Sequence, residues 1–289
     1  MPGPAIALVL AAAVLHAVWN ALAKRAGDPL SFLWLSFALA TALLSPVALA
    51  ALWSAGAQPL AAASPFIVAT SAIHTVYFYA LGASYRASAF SLVYPVARGL
   101  GVALVPVLAL LLLGERLSPL GVCGVILVVV GAVALQAGSR PSGPRSANGA
   151  RGTAWAALTG LSIAGYSLVD KAGVARLSPL AYIALLGLGA TVLLGPIMLR
   201  AHRRALLRRE WAEHRRAILL AATMSLTAYL LVLFAMQRSK TAYVVAAREV
   251  SIVLSTIIGS VWLREGPLNR RLAASMLILV GVLCVALAR

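Results

Sequence analysis

The sequence predicts an all-α polytopic membrane protein of about ten transmembrane helices, arranged as two inverted five-helix repeats. Three observations predict it. Of 289 residues, 62% are hydrophobic and 11% charged, and the mean hydropathy is +0.96. A soluble domain is only about half apolar and about a quarter charged. Ten apolar stretches fill most of the chain, and its two halves resemble each other at an offset near 150 residues.

The ten stretches are 5–23, 30–53, 65–84, 89–113, 119–136, 152–172, 179–199, 217–237, 241–263 and 268–287. Each approaches the roughly 20 residues that cross a bilayer as a helix. Runs such as 123–135 are apolar on every side and lack the alternation of a membrane strand. A helix satisfies its own backbone in lipid, so such runs become helices. The first stretch could be a secretory signal. It lacks Lys or Arg at its front, is long for a signal and has a counterpart later in the chain, so it is read as a span.

Cys123 and Cys284 fall mid-helix. Two cysteines are too few for a disulfide framework or a zinc site, and read as small packing residues. The net charge of +17 does not point to nucleic acid, because the positive residues sit in short connections, where they orient a membrane protein. Arg outnumbers Lys, 21 to 3, which reads as genome composition.

The segment 137–151, rich in Pro, Gly, Ser and Asn, reads as a flexible linker between a first half, 1–136, and a second, 152–289. An offset of 150 pairs Arg98 with Arg248, Glu115 with Glu265, Gly131 with Gly281 and Tyr79 with Tyr229. An offset of 147 pairs Lys24 with Lys171, Trp19 with Tyr166 and Asn20 with Ser167. Five spans per half is odd, so the second half enters from the opposite side. Inverted repeats of this kind recur in secondary transporters, with the solute site near the midplane.

The connections after the odd-numbered spans hold Lys24, Arg25, Arg86, Arg140, Arg145, Arg151, seven Arg between 200 and 216, Arg264, Arg270 and Arg271. The other side holds Arg116, Lys171, Arg176, Arg238, Lys240 and Arg289. Positive charge favours the cytoplasm, which would put both termini outside. The 200–216 segment carries Leu206, Leu207 and Trp211 among its arginines. It reads either as an amphipathic surface helix or as a solvated orienting loop.

Residues 104–135 form an apolar helix ending in Gly114-Glu115, a Ser118-Pro119 turn and a small-residue helix through Gly131. Residues 254–286 repeat this more loosely, with Trp262, Glu265 and Gly281 in place and Arg264 where the first copy has Gly114. These features, with the opening His16–Pro29 segment, resemble the EamA-like branch of the drug/metabolite transporter superfamily. The resemblance spans about 5–287. It implies an inner-membrane exporter or exchanger of metabolites, amino acids or drugs. Members are usually drawn with both termini in the cytoplasm, against the charge count, so orientation stays open.

Ionisable residues inside spans are costly and usually face a cavity. Arg98 sits about 13 Å into the fourth span, and Arg248 at similar depth in the ninth, beside Glu249. An arginine fork suits a carboxylate solute; the alternative is a structural ion pair. Glu249 can neutralise only one of the two. His16, Trp19 and Asn20 share one face of the first span, with Tyr166 and Ser167 as counterparts. His74, Tyr77 and Tyr79 lie in the third span, and Ser225, Thr227 and Tyr229 in the eighth. His74 is either a carrier of a coupling proton or a residue satisfying a neighbour. Pro95 and Pro106 suggest kinks in the fourth span. Glu115 and Glu265 read as interfacial turn residues.

The candidate solute-binding set is therefore Arg98, Arg248, Glu249, His16, Trp19, Asn20, Tyr166, His74 and Tyr77. No catalytic triad, metal-spaced cluster or phosphate loop is present in the sequence, so no catalytic residue, metal ligand or cofactor is expected. The expected function is secondary-active transport of a small anionic or zwitterionic metabolite, such as an amino acid, by alternating access. The expected partners are the solute, the lipid bilayer and a coupling proton or counter-solute, with no nucleic acid. The alternative is a membrane-embedded enzyme or a non-transporting helical membrane scaffold. The expected location is the inner cell membrane.

Overall fold

The apolar runs fold as helices in the computed structural model of the chain, which describes residues 1–88, 90–137, 147–261 and 269–288. In order the helices are α1 (Gly3–Lys24), α2 (Pro29–Ala55), α3 (Ala57–Ala87), α4 (Phe90–Leu113), α5 (Pro119–Ala137), α6 (Ala147–Val174), α7 (Pro179–Met198), α8 (Ala201–Arg238), α9 (Thr241–Ala247), α10 (Val250–Val261) and α11 (Asn269–Leu287). Large apolar side chains such as Val107, Leu111, Val192, Leu220 and Leu283 are exposed on the outside. Lipid, not water, suits that surface. The protein is a multi-pass membrane protein.

Among the described residues, six helices are long and apolar enough to cross a bilayer on their own: α1, α2, α3, α7, α8 and the stretch Val96–Leu113 of α4. The helix α6 is not among them; it packs on α3 and α4 and buries Thr159, Ser162, Ser167 and Asp170 beside apolar residues such as Ile163 and Tyr166.

Two expectations are corrected. The ninth span is not one helix but two, α9 and α10, interrupted at Arg248 and Glu249. Around the break the backbone bonds tighten: Glu249 N–H donates to Ala246 O at 3.1 Å and Ser251 N–H to Arg248 O at 2.9 Å. Such three-residue spacing inside a helix often marks a hinge or a strained sequence. Of the two readings of 200–216 the structure takes the helix, which joins the eighth span across a kink at His214 (φ −124°, ψ 16°). The linker is shorter than expected, since α6 begins at Ala147. The fourth span stays one helix through Pro106. Glu265, Arg264, Trp262 and residues 138–146 lie outside the described residues.

Local chemistry starts the second helix of each half in the same way. Asp28 caps α2 and Ser178 caps α7, each followed by a proline in the first turn. The proline needs no N–H there, and the cap oxygen accepts an orphan one.

Contacts sort the connections onto two sides. On one side Asp28 accepts from Arg203 Nη1 at 2.7 Å and faces Arg86 Nη1 at 3.6 Å, while its own N–H donates to Glu210 at 2.8 Å. On the other, Glu115 accepts from Thr241 N–H at 2.9 Å and Thr241 Oγ1 at 2.8 Å, capping α9. Gly114 makes that turn possible with φ +66°. Glu115 is thus a turn residue, as its sequence position suggests. The N-terminal ammonium donates to the carbonyls of Ala286 and Ala288, which ties the start of α1 to the end of α11. Burial, with Lys240 close by, lowers its pKa.

The most extensive packings all cross between the halves: α3 with α6, α5 with α11, α4 with α6 and α1 with α8. A Cβ on Gly124 would fall 2.7 Å from the Gly281 carbonyl, and one on Gly281 2.6 Å from the Gly124 carbonyl. Backbones that close are typical of small-residue crossings in membranes.

Candidate functional site

The helices α1, α2, α3, α6 and α8, with the α9–α10 break, enclose one central chamber. Its wall is formed by His16, Trp19, Leu33, Ser36, Phe37, His74, Tyr77, Phe78, Tyr166, Ser225, Tyr229 and Arg248. Six of the nine sequence-predicted site residues are on that wall: His16, Trp19, His74, Tyr77, Tyr166 and Arg248. The open volume is about 50 Å³. A solute pocket is typically about 300–1,000 Å³, so the chamber is much smaller than that. A larger groove of about 720 Å³ lies between α4 and α5. Its lining is almost wholly apolar and exposed, and it offers little to recognise a polar solute.

The chamber is aromatic. His74 stacks on Tyr166 at 4.3 Å between ring centroids and meets Tyr229 edge-on at 5.5 Å. Tyr77 meets Tyr166 edge-on at 5.6 Å, and His16 meets Trp19 at 5.1 Å. Edge-to-face pairs at these distances hold rings in fixed orientations.

The two predicted arginines differ. Arg98 Nη2 lies 2.5 Å from Glu249 Oε1, both side chains being buried. Neither residue is on the chamber wall. Arg248 is buried and on the wall, with its guanidinium 6.0 Å from the centre of the Tyr229 ring and against Tyr166. Among the described residues no carboxylate lies within ion-pair distance of it, and its Nη1 has no hydrogen-bond partner. Asn20 is also behind the wall, where its Oδ1 accepts from Tyr85 at 2.9 Å and its Nδ2 donates to His16 O at 2.8 Å. Ser167 donates to Ile163 O within its own helix, and Tyr79 packs on Trp155.

One buried acid escaped the sequence reading. Asp170 on α6 is fully buried. Thr70 Oγ1 donates to it at 2.5 Å and Tyr182 at 2.9 Å, and Tyr229 donates to its other oxygen. In sequence it stands two residues from the expected end of the span and beside Lys171, so it resembles half of an interfacial charge pair. Only the helix rotation separates them. Lys171 turns to the carbonyls of Met236 and Ser239, while Asp170 turns inward.

Residues 150–287 match the EamA-like transporter family. The second half of the chain is therefore similar to that family. Members of that family are membrane transporters. A crystal structure of another protein superposes with a TM-score of 0.72 at 22% identity, over 98% of this chain and 96% of that one. That likeness shows a shared fold along the whole length. No curated protein matches the sequence.

Proposed function

We propose that this EamA-like protein is a secondary-active exporter or exchanger of the inner cell membrane, carrying a small anionic or zwitterionic metabolite such as an amino acid. The observation that carries the proposal is Arg248. A guanidinium buried in a membrane protein without a carboxylate is costly, and this one faces a chamber. A solute carboxylate would supply the missing partner through two parallel hydrogen bonds. The aromatic wall would take the solute's apolar part. Arg98, engaged by Glu249, would brace the break that presents Arg248.

Alternating access is supported by closure on both sides. Asn20–Tyr85 and the Asp28–Arg203–Arg86 cluster lie towards one side, and the Asp170 cluster towards the other. Two inverted repeats are supported by reciprocal contacts. Lys24 donates to the carbonyls of Tyr85 and Ser88 at the end of α3. Lys171, its sequence counterpart, does the same at the end of α8. Interrupted helices at the repeat interface are a recurring transporter device. Energy would come from an ion or counter-solute gradient.

The test is flux in liposomes with a panel of amino acids and organic anions. Arg248→Ala should abolish flux in a folded protein, and Arg248→Lys should lose most of it, because the planar fork is gone. Normal flux through well-folded Arg248→Ala would overturn the assignment.

A further inference from the structure

We propose that Asp170 is a proton-binding site and that His74 and Thr70 form a relay from the chamber to it. The site rests on the transporter reading for its purpose, but not for its chemistry. His74 Nδ1 lies 3.0 Å from the Thr70 carbonyl oxygen. A carbonyl only accepts, so Nδ1 carries the hydrogen and Nε2 is the basic nitrogen. The same Nδ1 is 3.0 Å from Thr70 Oγ1, which donates to Asp170 Oδ1 at 2.5 Å. A proton taken up by Nε2 makes imidazolium. The imidazolium gives its Nδ1 proton to Thr70 Oγ1, as the Thr70 hydroxyl proton passes to Asp170 Oδ1. Imidazolium plus carboxylate becomes imidazole plus carboxylic acid, and Thr70 regains a hydroxyl.

The surroundings give such a transfer a mechanical consequence. From α3, Thr70 and His74 face Asp170; from α7, Tyr182; from α8, Tyr229. On its own helix Tyr166 is near, and from the α9–α10 break Arg248 lies against Tyr166 and Tyr229. Arg98 is held by Glu249 on the far side of that break. Among the described residues no Lys or Arg is within ion-pair distance of Asp170. As an anion it accepts three hydroxyls and pulls α3, α7 and α8 onto α6. As an acid it is neutral and donates its own hydrogen back to Thr70 Oγ1, so that bond reverses, and the bonds from Tyr182 and Tyr229 lose the charge assistance of a carboxylate acceptor. Tyr229 is also part of the chamber wall. Protonation would therefore loosen this closure and alter the wall together.

Infrared spectroscopy of the purified protein across a pH titration tests the site without knowledge of the solute. The expected result is a protonated-carboxyl band that titrates, disappears in Asp170→Asn, persists in Glu249→Gln and shifts in Thr70→Val. A titrating band unchanged in Asp170→Asn, or no titrating carboxyl in the wild type, overturns the site. Liposomes loaded with a pH-sensitive dye and given a mixture of the twenty amino acids then test the coupling. Solute flux that raises no proton flux, or proton flux that survives Asp170→Asn, overturns the coupling while leaving transport standing. Absence of any solute flux counts against the transporter reading, and the infrared result still decides the proton site.

Discussion

Helix α4 and the α9–α10 pair occupy matching places in the sequence, yet they handle a buried arginine in opposite ways. In α4 the helix is continuous and Arg98 is followed by Gly99. In the second half the helix breaks at the matching residue, and Arg248 is followed by Glu249. That acid has no counterpart in the first half. It reaches across to Arg98 rather than serving its own neighbour. One substitution of the pair thus leaves Arg98 neutralised behind the wall and Arg248 unneutralised on it. Sequence repetition marks which positions correspond; it does not make their duties equal.

The largest expected effect would break this comparison at the ion pair. Arg98→Ala or Glu249→Ala leaves a buried charge without its partner and should cost about 3–5 kcal/mol of stability. Removing both should recover most of that loss, read as the thermal midpoint of the purified protein. Additive losses in the double variant would mean that the two charges are not a unit. Arg248→Ala should leave the midpoint nearly unchanged, in contrast to Arg98→Ala.

A middle-sized effect sharpens the comparison where the halves behave alike. At the α5–α11 crossing, Gly124→Ala and Gly281→Ala each push a methyl against the other helix's backbone. Each should lower stability by about 1–3 kcal/mol, the usual cost of overpacking, and by similar amounts. A large loss from one alone would show that the crossing is not reciprocal.

The smallest effect concerns the two lysines. Lys24→Met and Lys171→Met each remove hydrogen bonds to helix-end carbonyls, worth about 1 kcal/mol. Lys171 should lose more, because its bonds are shorter, 2.5 and 2.9 Å against 3.2 and 3.3 Å. Equal or reversed losses in thermal unfolding would undo that ranking.

The sequence by itself determined that the chain is helical, that it lives in a membrane and that Arg98, Arg248, His16 and His74 fall inside its spans. Those facts follow from unbroken apolar runs, which lipid allows only as helices, and from the cost of charge inside them. The resemblance to the EamA-like family was legible too, and residues 150–287 match that family; the structure adds that Glu115, in the turn after α4, caps α9. What only the tertiary structure decided is partnership and direction. A linear pattern cannot say whether Glu249 pairs with the arginine beside it or with one 151 residues away. It cannot say that Asn20 turns to Tyr85 while Trp19 turns to the chamber. Nor can it say that Asp170 points inward when Lys171 points out, because one residue step is about 100° of helix rotation. Charge and burial are properties of composition, whereas the choice of partner depends on which helices pack together.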